Sequence, residues 1–333
     1  MRRRDFMAAA GALAAVPLAS VWRTALASGI GLPARAQQVT VRQGYQTNMW
    51  GMPTYYLLRS GALEKHGIKA EEFAVPSGNL TMQQMVGRQV DLGTYAGPSF
   101  ILGHARGQLV AIAQIEEVGK TVRIMARKDL NAKRVADLRG KKIANQTGSS
   151  IANVFVDQIA PKAGLKKTDW QEVRMNVTDM VAAMAAKTVD AMINVEPYNV
   201  IAEAEGLATT VMNYWDVDRM PVFMAATPEF VEKNPDAVVA YLKAWLAVAD
   251  DFKRNHQKVS DTIYAFYTSK GYKMSPETFG KAVSLVEVNP GFPQAVNGYM
   301  REQAEVLLRE KKIKEMPDWS KALRPEFMQK AAG

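Results

Sequence analysis

The sequence contains no cysteine, which excludes a disulfide framework, a thiolate nucleophile, an iron–sulfur cluster and any cysteine-based zinc site. Histidine is scarce: His66, His104 and His256 lie far apart, in no spacing that suits a shared metal. After residue 36 no run is long and apolar enough to span a bilayer. Charge of one sign is not concentrated either. Lys65, Lys69, Lys166 and Lys167 are scattered among acids, the pattern of a solvated surface and not of a nucleic-acid face. What remains is an ordinary globular composition. With 48% hydrophobic and 23% charged residues over 333 positions, the chain has enough apolar material for one large or two ordinary domains.

The first residues stand apart from the fold. Arg2-Arg3-Arg4-Asp5-Phe6-Met7 precedes a weakly apolar, alanine-rich run from Ala8 to Ala19, and Ala34-Arg35-Ala36 supplies a small-x-small cleavage site. This resembles a twin-arginine export signal, cleaved near Ala36, with Ala25-Leu26-Ala27 as a competing site. Pro17 and Arg23 interrupt the run and weaken a membrane-anchor reading. The segment carries five arginines and one aspartate, so its removal takes the net charge from +9 to +5. The mature protein is expected to be soluble and periplasmic.

From Gln38 onward, strands and helices alternate. Val39 to Gly44 reads as a strand leading into Tyr45-Gln46-Thr47-Asn48-Met49-Trp50-Gly51, and a helix is expected from about Pro53. A repeated unit follows. Met82 to Gly93 reads as a helix, a turn and a strand opening on Val90-Asp91; Met180 to Met192 repeats this with Val189-Asp190. Each copy ends in a proline-containing turn, Gly97-Pro98-Ser99 and Glu196-Pro197-Tyr198, before helix resumes. Two copies suit two similar α/β lobes. Between them Lys141 to Asn145 predicts a buried strand, and Gly148-Ser149-Ser150 predicts a helix start with free amides beside two hydroxyls. Such a corner is either a plain N-cap or an anion site. Thr121–Arg127 and Val222–Ala226 read as strands near the lobe crossings. From Thr227 onward the pattern is helical and buttressing.

The order of these segments resembles the periplasmic solute-binding proteins of the nitrate, sulfonate and taurine import type, grouped with the thiamine-precursor-binding proteins. Asp137-Leu138-Arg139-Gly140-Lys141-Lys142-Ile143 with its Gly148-Ser149 loop is the segment most specific to two-lobed binding proteins, though not to one ligand. The resemblance implies an α/β, two-lobed type II periplasmic binding protein fold whose lobes, joined by two crossovers, close on a small-molecule ligand. It implies lobe one at 37–126 plus 226–333 and lobe two at 127–225. The implied cleft lining is Gln46, Asn48, Trp50, Gly97, Pro98, Ser99, Thr147, Ser149, Ser150, Glu196 and Tyr198. It also implies a monomer delivering its ligand to an ABC permease of the inner membrane, with no cofactor and no nucleic acid.

Two tensions remain within the sequence. Glu196 either meets a donor on the ligand or pairs with an arginine such as Arg219. The ligand is accordingly read as a small polar organic molecule, zwitterionic like taurine or an aminopyrimidine-like ring stacked on Trp50 or Tyr198. An enzyme reading lacks its parts: a pyrimidine synthase of the same fold uses a cysteine, and no histidine motif accompanies Ser149. A ligand-sensing subunit for a membrane receptor remains open beside import.

Overall fold

The computed structural model describes residues 38–146 and 148–333; the expected export signal and Thr147 lie outside them. Among the described residues eleven strands form two sheets. They are β1 (Val39–Gln46), β2 (Ile68–Val75), β3 (Leu92–Ala96), β4 (Val110–Glu117), β5 (Val122–Arg127), β6 (Lys142–Asn145), β7 (Gln171–Arg174), β8 (Ala191–Val195), β9 (Ala208–Asn213), β10 (Pro221–Ala226) and β11 (Glu287–Gly291). One sheet has the order β11-β4-β10-β3-β1-β2 and the other β7-β6-β8-β5-β9. In each, three parallel strands (β2, β1, β3 and β7, β6, β8) meet an antiparallel strand, β10 or β5. This is the α/β, two-lobed architecture of the type II periplasmic binding proteins.

The repeated Val-Asp pair has one physical task in both lobes. The Asp91 carboxylate accepts the Arg42 N–H at 3.0 Å, and the Asp190 carboxylate accepts the Lys142 N–H at 2.9 Å. Each aspartate returns its own N–H to the same residue's carbonyl at 2.8 Å. The pair thus staples the start of the central strand, β3 or β8, to its parallel neighbour. An arginine then pairs with each carboxylate, Arg42 with Asp91 and Arg127 with Asp190.

The chain changes sheets through Val118–Thr121 and again through Tyr214–Met220. This moves the boundaries expected at 126/127 and 225/226: β5 belongs to lobe two and β10 to lobe one. Both strands are almost continuously buried, so their apolar runs carry no mark of which sheet they join. Only the pairing of β5 with β8 and β9, and of β10 with β3 and β4, assigns them. The two crossovers are bonded to each other, Val118 N–H to Met220 O at 3.3 Å and Gly119 N–H to Arg219 O at 2.8 Å.

The long helix Pro235–Arg254 buries Tyr241, Trp245 and Val248 against lobe one's sheet. Its Tyr241 hydroxyl donates to the buried Gln43 amide oxygen. β11 was not expected, because Pro290 and Gly291 interrupt its pattern; it is an edge strand, where a missing N–H is tolerated. Among the described residues no helix is long and apolar enough to cross a membrane.

Candidate functional site

All six parallel strands point their carboxyl ends at one cavity of about 280 Å³ between the lobes. Past β1 stand Gln46, Asn48 and Trp50; past β2, Ser77 to Leu80; past β3, Ala96 and Ser99. From lobe two come Gln146, Ser149, Ser150 and Ile151 past β6, Asn176 and Val177 past β7, and Val195 at the end of β8.

Three helix starts face this space: Gly78–Val86 capped by Ser77, Gly97–Gly107, and the helix beginning at Ser150, capped by Ser149. Ser77 Oγ accepts the Leu80 N–H at 3.4 Å, and Ser149 Oγ accepts the Ala152 N–H at 3.3 Å. Each cap satisfies one donor. The remaining first-turn N–H groups, of which Pro98 has none, still lack an intrahelical acceptor, and each helix start carries partial positive charge. The Ser150 hydroxyl lies in the buried wall without a protein partner among the described residues. Gly78 is dictated by close approach: a Cβ there would stand 2.8 Å from Tyr95 Cβ and 3.2 Å from Gln46 Nε2.

The side chains are held by bonds within the protein. Gln46 Nε2 donates to Thr94 O at 3.1 Å, and Asn48 Oδ1 accepts the Trp50 N–H at 3.0 Å, which leaves the Asn48 NH₂ for the cavity. Trp50 is a fixed wall, its indole N–H donating to Thr121 Oγ1 in the first crossover at 2.8 Å. Ser99 donates to Asn79 Oδ1 at 2.7 Å, and Asn79 Nδ2 donates across the cleft to Gly148 O at 2.8 Å. No titratable side chain lines the cavity among the described residues. Its polar surface is amide, hydroxyl and backbone N–H; its apolar surface is Trp50, Leu80, Ile151, Val177 and Val195.

Of the residues expected at the cleft, Gln46, Asn48, Trp50, Ser99, Ser149 and Ser150 are brought together here. Four are placed elsewhere. Gly97 faces lobe one's interior, where a Cβ would meet Tyr299 Cε1 at 2.8 Å and Met300 Sδ at 3.2 Å. Pro98 is buried in the first turn of its helix. Tyr198 is buried with its ring 5.8 Å from that of Tyr272.

The fourth, Glu196, is fully buried and turned away from the cavity. Arg123 binds its carboxylate through Nε at 3.0 Å and through Nη2, and the Val200 N–H donates to it at 3.1 Å. Burial pushes this carboxyl above its ordinary range while Arg123 opposes the rise. Its partner is therefore Arg123 and not Arg219, which lies by Glu117 and over the Trp215 ring. The Glu196 carbonyl accepts the Met49 N–H at 3.2 Å, so this turn fastens lobe two to the Gln46–Trp50 loop. The two proline turns have thus diverged: the first reaches the cavity through Ser99, and the second joins the lobes.

Ser77, Asn79, Gln146 and Asn176 were not singled out from the sequence. Pro76-Ser77-Gly78-Asn79 has the same cap-and-helix chemistry as Gly148-Ser149-Ser150 and could have been found by that likeness. Nothing local marks Asn176.

The sequence model of the NMT1/THI5-like family matches residues 51–258, well over half of the chain. The chain belongs to that family. A candidate binding protein of Brucella abortus (strain 2308) is 28% identical over 329 residues, covering 94% of this chain and 95% of the relative. Among solved structures, the alkanesulfonate-binding protein SsuA from Xanthomonas axonopodis pv. citri, bound to MOPS, superposes with a TM-score of 0.75 at 19% identity. The match covers 86% of this chain and 99% of that one. DszB, in complex with biphenyl-2-sulfinic acid, superposes at 0.68 with 15% identity, covering 89% of this chain and 99% of that one. At these identities the family member shares a fold with both a binding protein and an enzyme.

Proposed function

We propose that this protein is an extracytoplasmic solute-binding protein that closes its cleft on a small organic oxyanion and delivers it to an ABC importer. The observation that carries this reading is a cavity faced by three helix starts and lined, among the described residues, by no charged side chain. An acidic head group is the solute that such a wall stabilises. Each helix N-terminus contributes about 0.3–1 kcal/mol toward an anion, and up to about 2 kcal/mol when partly buried. Three of them offset a substantial part of the desolvation of one sulfonate or carboxylate. Ser150 and the Asn48 NH₂ add donors, while Trp50, Leu80 and Val195 suit a short apolar tail.

The SsuA likeness favours a sulfonate as the first class to try. With Glu196 committed to Arg123, the cavity contains no carboxylate for a ligand ammonium among the described residues, which favours alkanesulfonates over taurine and disfavours a basic heterocycle. Catalysis is disfavoured on the same geometry. Ser77, Ser99, Ser149 and Ser150 line the wall without a base beside them to activate a hydroxyl. Delivery to a membrane permease, a monomeric state and export through the twin-arginine signal belong to this reading.

Calorimetry with methanesulfonate, MOPS, taurine and acetate is the test, with the radius of gyration measured in parallel. Saturable binding of a sulfonate, with a smaller radius in its presence, is expected. If acetate, taurine and the alkanesulfonates all leave heat and radius unchanged, the oxyanion reading is wrong.

A further inference from the structure

A second cavity, of about 530 Å³, lies on the hinge face of the molecule. Its walls come from lobe one (β4 and the helix Ala295–Arg309), from lobe two (Asp157 and Gln158) and from the second crossover (Val217 to Arg219). Two amides in it are more than nine-tenths buried: Gln114, 6% exposed, and Gln303, 8% exposed. Both side chains line the cavity, and among the described residues neither has a protein hydrogen-bond partner. The amide atoms are not sealed off but reach the open space of the cavity, so both offer donors and acceptors to a guest that enters it.

Asp218, 6% exposed, lines the same cavity. One carboxylate oxygen accepts the Met220 N–H at 2.7 Å, and the other has only the Tyr299 hydroxyl, at 3.5 Å. No lysine, arginine or histidine pairs with it among the described residues. Its neighbour Arg219 is turned to Glu117 and the Trp215 ring. Glu302 adds negative charge close by, and burial pushes the Asp218 carboxyl up to about 6. A carboxylate at this depth without a cation is a strong demand for positive charge.

We propose that the hinge cavity is a second ligand site, which takes a small organic cation and seats its ammonium or guanidinium group on Asp218, Gln114 and Gln303. Asp218 supplies the counter-charge. The amide oxygens accept further N–H groups, and Tyr299 forms one wall. An occupant touches both lobes and the crossover at once, so it biases the lobe arrangement and is coupled to the cleft. The site does not depend on what the cleft binds.

The test is calorimetric titration of the exported chain with agmatine and with putrescine at constant ionic strength. Saturable binding of at least one probe is expected, weakened about tenfold or more by Asp218→Asn. The asparagine keeps an oxygen for the Met220 N–H and so preserves the hinge. Gln303→Met, which preserves volume, should also weaken binding, whereas Ser150→Ala in the cleft should leave it unchanged. The proposal is overturned if neither probe binds at about 10 mM, or if Asp218→Asn and Gln303→Met bind as tightly as the parent. Binding lost with Ser150→Ala instead would place the cation in the cleft and overturn it equally.

Discussion

Replacing Arg123 by methionine isolates what the buried Glu196 does. Its carboxylate is fully buried and receives Arg123 on one oxygen and the Val200 N–H on the other. Arg123 also reaches Glu203 at 2.8 Å and Thr210 at 3.1 Å, with only 12% of its side chain exposed. Methionine fills the stem but leaves a buried carboxylate without its cation, a change that costs about 3–5 kcal/mol. For a chain of this size that is a fall in Tm on the order of 10 °C.

The pH dependence gives a sharper signature. Glu196 already sits above its ordinary range by burial, and removing Arg123 raises it further. A carboxyl with a raised folded pKa contributes stability that is fully present below its unfolded pKa and is lost as pH rises through the folded value. The Arg123→Met defect should therefore be large at pH 7 and shrink toward pH 4.5. The double variant Arg123→Met with Glu196→Gln should recover much of the loss at pH 7, because no unpaired charge remains. Sulfonate affinity, read by calorimetry below the melting range, should stay within about threefold in Glu196→Gln. A variant that melts like the parent and yet binds tenfold more weakly would refute the placement and return Glu196 to the ligand.

Three further outcomes follow from the geometry. Ser149→Ala removes a helix cap and should cost about 1 kcal/mol of stability, whereas Ser150→Ala should leave Tm unchanged and lower sulfonate affinity several-fold; melting curves beside titrations separate the two roles. Asn79→Ala deletes the bond to Gly148 O across the cleft and should enlarge the ligand-free radius of gyration in scattering, without disturbing the fold. Asp218→Asn should stabilise the protein at pH 7 relative to pH 4. The parent loses up to roughly 3 kcal/mol as pH rises through about 6, the value to which burial pushes this carboxyl, and the asparagine has no proton to lose. Equal stability differences at the two pH values in urea titrations would count against the burial of Asp218.

The site was legible wherever its chemistry is local. Gln46, Asn48, Trp50, Ser149 and Ser150 sit directly after strands and before helices, and cap residues at such junctions announce free amides. Ser77 and Asn79 obey the same rule but follow a proline loop that drew no attention. Asn176 and Val195 reach the cavity only because β7 and β8 end there, which no neighbouring residue records. Glu196 shows the opposite limit. Its motif repeats Gly97-Pro98-Ser99 in sequence position, yet Arg123, 73 residues earlier, captures its side chain.

The amino-acid sequence by itself determined the alternation of strand and helix, the doubled Val-Asp unit and hence two α/β lobes, because periodicity and turn chemistry are properties of short segments. Tertiary structure alone decided which sheet β5 and β10 join, which proline turn reaches the cavity between the lobes and which one fastens the lobes. Those outcomes depend on pairing and burial between residues far apart in the chain. A fully apolar strand fits either sheet, and a buried carboxylate goes to the nearest cation that folding brings to it.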